Sequence, residues 1–189
     1  MKKDQFNHLK WSDSRWGKTR KFGIFDIQTV IRQSPTGQRG TFVIADTPHW
    51  VTIIPMLNDT MAYMVRQFRH GSGMVTLEFP SGVVHRGEDP AKAAVRELLE
   101  ETGCEAGSIV EIGNVNPNPA FMNNRVYTFL ATDLIKVQEL DLDDLELLEI
   151  EEVEIAKVME AGGTGDFDNG VLLIALQWYR RWLDSAVHD

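Results

Sequence analysis

Four glutamates crowd one short stretch of the chain. Between Gly82 and Gly103 the sequence reads GVVHRGEDPAKAAVRELLEETG, with Glu88 in the approach and Glu97, Glu100 and Glu101 in a segment opened by Pro90 and closed by Gly103. Proline suits the first position of a helix and glycine the position just past its end, so the spacing predicts a helix from Asp89 or Pro90 to Thr102. Residues 97, 100 and 101 then stand at i, i+3 and i+4 and project from one face. Carboxylates this close repel one another, and hard divalent cations such as Mg²⁺ or Mn²⁺, which take oxygen ligands, remove that penalty. The cluster therefore predicts a bound cation. The alternative is a solvated amphipathic helix with Ala91, Ala94, Val95 and Leu98 turned to the core. Against it, no lysine is interspersed among the three acids, and Arg96 precedes Glu100 by four residues, the less favourable order for a surface pair.

The elements that must position this helix are legible on either side of it. Residues 21 to 33 and 40 to 46 read as strands around SPTGQR, a Pro and Gly turn, and form an expected hairpin. Residues 49 to 58, 61 to 68 and 74 to 80 are β-rich apolar runs before the helix. Residues 108 to 115, 125 to 132 and 147 to 153 supply strands after it, and residues 168 to 183 an amphipathic closing helix in which Trp178, Tyr179 and Trp182 fit packing. Strands flanking a central helix, with a second helix at the end, suggest an α/β arrangement: a mixed β-sheet sandwiched between helices.

A chain of 189 residues with 43% apolar and 25% charged content suits one compact domain with an appendage. A net charge of −9 argues against nonspecific nucleic-acid binding and for a small-molecule partner. The single cysteine, Cys104, cannot form an internal disulfide and reads as a structural thiol of a reducing compartment, which fits the cytoplasm. No run approaches the roughly 20 apolar residues of a membrane span, and the N-terminus lacks the apolar core of a secretory signal. Charge is uneven: residues 1 to 40 hold nine Lys or Arg against three acids, and residues 133 to 160 hold eleven acids against two lysines. These regions are able to attract each other within or between subunits.

The glutamate segment resembles the Nudix box, which maps onto Gly82, Glu88, Arg96, Glu97, Leu98, Glu100, Glu101 and Gly103; only the final aliphatic departs, being Cys104. Eight fixed positions across 23 residues make this far more specific than a lone glycine motif. The resemblance implies the Nudix fold and hydrolysis of a diphosphate joined to another group. By the same resemblance Glu97 and Glu101 are the foremost metal ligands, with Glu100 and the Ser81 backbone carbonyl as further ones, and Arg96 orients a glutamate. Glu88 either assists through bound water or is a loop carboxylate near the helix N-terminus, and His85 occupies a variable box position.

Around the box the chain looks like the branch of ADP-ribose pyrophosphatases and related nucleoside diphosphate sugar hydrolases. Three features carry this: Val65-Arg66-Gln67-Phe68-Arg69, Glu78-Phe79-Pro80-Ser81-Gly82, and Pro119 fifteen residues beyond Cys104. That likeness implies substrate contacts from Arg69, Glu78, Gly82 and Pro119. Arg69 otherwise ends its strand in solvent, and Glu78 otherwise holds the loop or pairs with a neighbouring arginine. Ala120-Phe121 stands where the branch often has Gly before the aromatic residue. The branch draws a catalytic base from an acidic loop beyond the box; Glu146, which opens Glu146-Leu147-Leu148-Glu149, matches best and Asp144 second. Residues 1 to 48 resemble the branch's small antiparallel β appendage for dimerisation, which leaves residues 49 to 189 as the catalytic domain and implies a homodimer. Phe22, Phe25 and Trp50 are candidates for stacking on a base, although strand aromatics are more often core or interface.

The expected function is Mg²⁺- or Mn²⁺-dependent cleavage of ADP-ribose or a related nucleoside diphosphate sugar to a nucleoside monophosphate and a sugar phosphate. The rivals are a Nudix hydrolase of a dinucleoside polyphosphate or nucleoside triphosphate, and a nucleotide sensor without turnover.

Overall fold

The computed structural model describes residues 6–142 and 145–186. The chain divides into two compact units: Met1–Pro48 with Asn118–Asn124, and His49–Pro117 with Arg125–Asp189.

The first unit is an antiparallel sheet of β1 (Ser12–Trp16), β2 (Arg20–Phe22), β3 (Phe25–Gln33) and β4 (Arg39–Asp46). The long β3 pairs with β1 and β2 along one edge and with β4 along the other. The run expected as one strand over residues 21 to 33 is broken at Gly23, whose φ of 59° makes the β2–β3 turn; a side chain there would be strained. β1 escaped the sequence because SDSRW lacks apolar alternation, and all five of its residues are exposed. The segment Asn118–Asn124 joins this unit through Ala45 N–H to the Phe121 carbonyl at 2.7 Å and Asn123 Nδ2 to Asp46 Oδ1 at 2.7 Å. Val30 is fully buried, while Trp11, Trp16, Phe22, Ile24, Phe42 and Val43 remain exposed.

In the second unit β5 (Trp50–Pro55) and β10 (Val126–Lys136) run parallel at the centre of a mixed sheet. It is completed by β8 (Ser81–Val83) beside β5 and β9 (Cys104–Val115) beside β10, both antiparallel. A second, antiparallel sheet has the order β11 (Leu148–Glu154), β6 (Met61–Arg69), β7 (Met74–Glu78). The helices are α1 (Pro90–Thr102), α2 (Ile155–Ala161) and α3 (Gly170–Ala186). α2 was not expected, since seven residues hold too few turns for a helical period to stand out.

The strand period of two explains the layers. From β5, Val51 and Ile53 pack with Ala93, Ala94 and Leu98 of α1 and with Phe129 and Ala131 of β10. Ile54, one residue on, joins Met64, Leu77, Phe79, Leu130, Leu172, Ala175 and Leu176, a cluster sealed by α3. The central strands are thus covered by α1 on one face and α3 on the other. Among the described residues no helix is long and apolar enough to cross a membrane.

Candidate active site

α1 begins and ends as its sequence dictates. Asp89 caps it, its side chain accepting the Ala91 N–H at 2.9 Å, Pro90 follows, and Gly103 closes it at φ 67° with its N–H on the Leu99 carbonyl at 2.7 Å. Fixed at both ends, the helix presents Arg96, Glu97, Glu100 and Glu101 toward β8.

Arg96 is the hub. Its Nε and Nη2 donate to the two Glu88 oxygens at 3.1 and 3.2 Å, Nη1 to Glu97 Oε1 at 2.7 Å and Glu100 Oε2 at 2.9 Å, and Nη2 also to the Val83 carbonyl at 3.0 Å. One guanidinium therefore orients three carboxylates and ties α1 to β8, a task its planar donor geometry suits and an ammonium does not. The hydrogen bond from Arg96 holds Glu88 below the usual carboxylate range. Glu88 also accepts the His85 N–H at 2.8 Å, so both its oxygens are engaged and it serves to hold Arg96. The His85 ring is exposed, its Nδ1 3.7 Å from Glu88.

Glu101 is 3% exposed and accepts the Ser81 N–H at 2.9 Å. Burial pushes its carboxyl well up, the Ser81 N–H opposes the shift, and the charges of Glu97 and Glu146 add to it. Glu97 is raised for the same first reason, with Arg96 opposing. Gly82 lies directly against Glu97: a Cβ there would overlap its carboxylate. Gly82→Ala is therefore expected to displace Glu97 and abolish most turnover while the far core around Leu172 stays folded; a variant with wild-type kcat would contradict this packing argument.

A second polar group adjoins the first. Arg69 at the end of β6 grips Glu78 of β7 with Nε at 2.7 Å and Nη2 at 2.8 Å, and Nη2 lies 3.4 Å from Ser81 Oγ. Of the readings open for these residues, the pairing of Glu78 with a neighbouring arginine is the one observed, and Arg69 is held rather than loose in solvent. Thr76 Oγ1 at 2.8 Å and Asn169 Nδ2 at 2.5 Å also donate to Glu78. Neither was singled out from sequence. Asn169 carries the signal of a helix N-cap, but its contact lies 91 residues away along the chain, and a single sequence holds no trace of it.

The loop expected to bear a base follows β10 and leads into β11, which pairs with β6. Asp141 N–H binds the Glu100 carbonyl at 3.0 Å, and Leu148 of β11 pairs with Gln67. Glu146 lies between these anchors, exposed, and its charge acts on Glu97, Glu101 and Arg69. Asp144 falls outside the described residues. Pro119 is exposed and belongs to the first unit.

The donor set suits a hard cation. Glu97 Oε2, Glu100 Oε1 and Glu101 Oε1 carry no hydrogen bond among the described residues, so each carboxylate keeps one oxygen available. As drawn together by Arg96 they do not close around a point: among the described residues no three acidic, His or Cys side chains form a ready-made cage. Arg96 supplies the compensating charge in that arrangement.

A family model, the NUDIX domain, matches residues 47–171, about two thirds of the chain. The chain belongs to the Nudix family. It is similar to the ADP-ribose pyrophosphatase of Bacillus subtilis (strain 168), 30% identical over 138 residues, covering 72% of this chain and 75% of that one. It is also similar to the ADP compounds hydrolase NudE of Escherichia coli (strain K12), 28% identical over 162 residues, covering 85% and 86%. In fold it matches a crystal structure of an ADP compounds hydrolase with a TM-score of 0.83 at 24% identity, over 94% of this chain and 96% of that one. The chain is thus a Nudix hydrolase of the ADP-ribose pyrophosphatase-like kind, with the Nudix fold.

Proposed function

We propose that this Nudix hydrolase cleaves the pyrophosphate of ADP-ribose or a related nucleoside diphosphate sugar to a nucleoside monophosphate and a sugar phosphate, using Mg²⁺ or Mn²⁺. The observation that carries the reading is the carboxylate face of α1: Glu97, Glu100 and Glu101, each with one oxygen free and two of them largely desolvated.

Glu97, Glu100, Glu101 and the Ser81 carbonyl would hold the cation. When bound, a divalent ion neutralises diphosphate charge and lowers the pKa of a coordinated water. The chain's own groups do the rest. Arg96 keeps the carboxylates in register, and Gly82 lets the β8 backbone come close to Glu97. Arg69, whose Nη1 has no hydrogen bond among the described residues, meets an anionic oxygen of the substrate, and Glu78 sets its plane. Glu146 accepts the proton of the attacking water as the new P–O bond forms and the anhydride P–O bond breaks. Pro119 as a nucleoside contact rests on the motif resemblance alone.

The test is a product assay with Mg²⁺ over ADP-ribose, other nucleoside diphosphate sugars, dinucleoside polyphosphates and nucleoside triphosphates. Monophosphate plus sugar phosphate is expected; inorganic pyrophosphate from triphosphates with ADP-ribose untouched would refute the substrate assignment. On the preferred substrate Glu146→Gln should lower kcat by about 10²-fold or more, the range for a positioned proton acceptor, with KM nearly unchanged. An unaltered kcat would remove Glu146 from the role.

The exposed apolar side chains of the first unit, Trp16, Phe22, Phe42 and Val43 among them, fit a surface covered by a second copy of the chain. Light scattering should then give a particle of twice 21.4 kDa. A monomer at micromolar concentration would contradict the homodimer.

A further inference from the structure

We propose that Asn169 is a positioning residue that fixes the Arg69 guanidinium for the substrate, acting through Glu78; this rests on the reading that Arg69 meets the diphosphate sugar. Asn169 uses both ends of its amide. Oδ1 accepts the N–H groups of Val171 at 2.7 Å and Leu172 at 3.3 Å, capping α3, and Nδ2 donates to Glu78 Oε2 at 2.5 Å. The assignment of oxygen and nitrogen is forced by these partners, since exchanging them would set N–H against N–H and oxygen against carboxylate.

Glu78 is 3% exposed, so its carboxylate relies on protein donors. Arg69 alone would leave the ion pair free to swing about the terminal torsion of Glu78, which is broad and soft. Two further donors stop that swing from opposite sides: Thr76 on Oε1 and Asn169 on Oε2. The Arg69 plane is thereby set from α3, with Nη2 3.4 Å from Ser81 Oγ and Nη1 without a hydrogen bond among the described residues. The loop that carries Asn169 is itself braced. Arg66 of β6 holds Asp166 at 2.9 Å and is paired with Glu151 of β11, and Phe167 is buried in the core. A chain of contacts thus runs from the α3 cap through Glu78 and Arg69 to the glutamate face of α1.

Asn169→Ser separates the two duties of the residue. Serine is a good N-cap, so α3 should keep its start, but its side chain is too short to bridge to Glu78. The expected result is a thermal midpoint close to wild type and a KM for ADP-ribose raised about three- to tenfold with kcat within about twofold, the signature of lost ground-state binding. In an Arg69→Ala background the same change should add nothing, because both act through one contact. Equal KM values for wild type and Asn169→Ser, or independent additive effects with Arg69→Ala, would overturn the proposal. The clamp is also read without turnover. In ¹⁵N-arginine-labelled protein the Arg69 Nε–H resonance, assigned by its absence in Arg69→Lys, should shift in Asn169→Ser. If wild type hydrolyses none of the substrates, the functional reading fails, and this resonance decides the clamp: an unmoved signal sinks it.

Discussion

Replacing Glu101 by glutamine should lower hydrolysis of ADP-ribose by about 10²-fold or more, because a charged ligand for the cation that would stabilise transition-state charge becomes a neutral one. The fold should survive and, without metal, become more stable. Glu101 is 3% exposed and its carboxyl is raised by burial, with Glu97 and Glu146 adding repulsion. A carboxyl raised in the folded state binds more protons folded than unfolded, so its ionisation opposes folding as pH rises through the folded value. Stability of metal-free wild type should therefore increase as pH falls from neutral toward the ordinary carboxylate range, and the neutral glutamine should flatten that part of the profile. The glutamine oxygen can still accept the Ser81 N–H. Differential scanning calorimetry in chelator, with kinetics on the same samples, checks both halves. Lower metal-free stability together with full activity would leave the electrostatic account without support.

Arg96→Met is expected to cost roughly 2–3 kcal/mol, between the values for exposed and fully buried ion pairs, because the guanidinium is a quarter exposed and its loss strands several carboxylates at once. In a domain of this size that lowers the thermal midpoint by roughly 5–10 °C. The change also releases Glu88 from its depressed pKa and removes the tie from α1 to the Val83 carbonyl. Mg²⁺ should recover part of the lost stability, since a cation can take over the charge compensation that Arg96 gave. Arg96→Lys should fall between, keeping the charge and losing the simultaneous contacts. A methionine variant as stable as wild type would show that the hub is ornamental.

The local rules of helix formation made α1 readable to within one residue: Pro90 and Gly103 bracket it as expected, and the i, i+3, i+4 spacing of Glu97, Glu100 and Glu101 puts them on one face. The apolar runs of β5, β6, β7 and β10 were readable for the same reason, since burial leaves a dense pattern. β1 was not, because its residues meet solvent on both faces and carry no period. The three-residue β8 overlaps the start of the box, and three residues are too few to show a strand period. The roles within the cluster were harder still. Sequence spacing shows that Glu88 and Arg96 are eight residues apart, but only the fold reveals that the approach loop turns back so that Arg96 consumes both Glu88 oxygens. Asn169 lies beyond any such reach, because its partner Glu78 is brought to it by tertiary packing.

The carboxylate face of α1 should bind a divalent cation, and that binding should drive cleavage of a diphosphate. Calorimetric titration of Mg²⁺ or Mn²⁺ into wild type and Glu101→Gln, with ADP-ribose turnover followed in parallel, decides both. Uptake of metal by wild type, its weakening in the variant, and turnover that stops in chelator are the expected results. Undiminished hydrolysis by either protein in chelator, or no metal uptake even with ligand present, would contradict it.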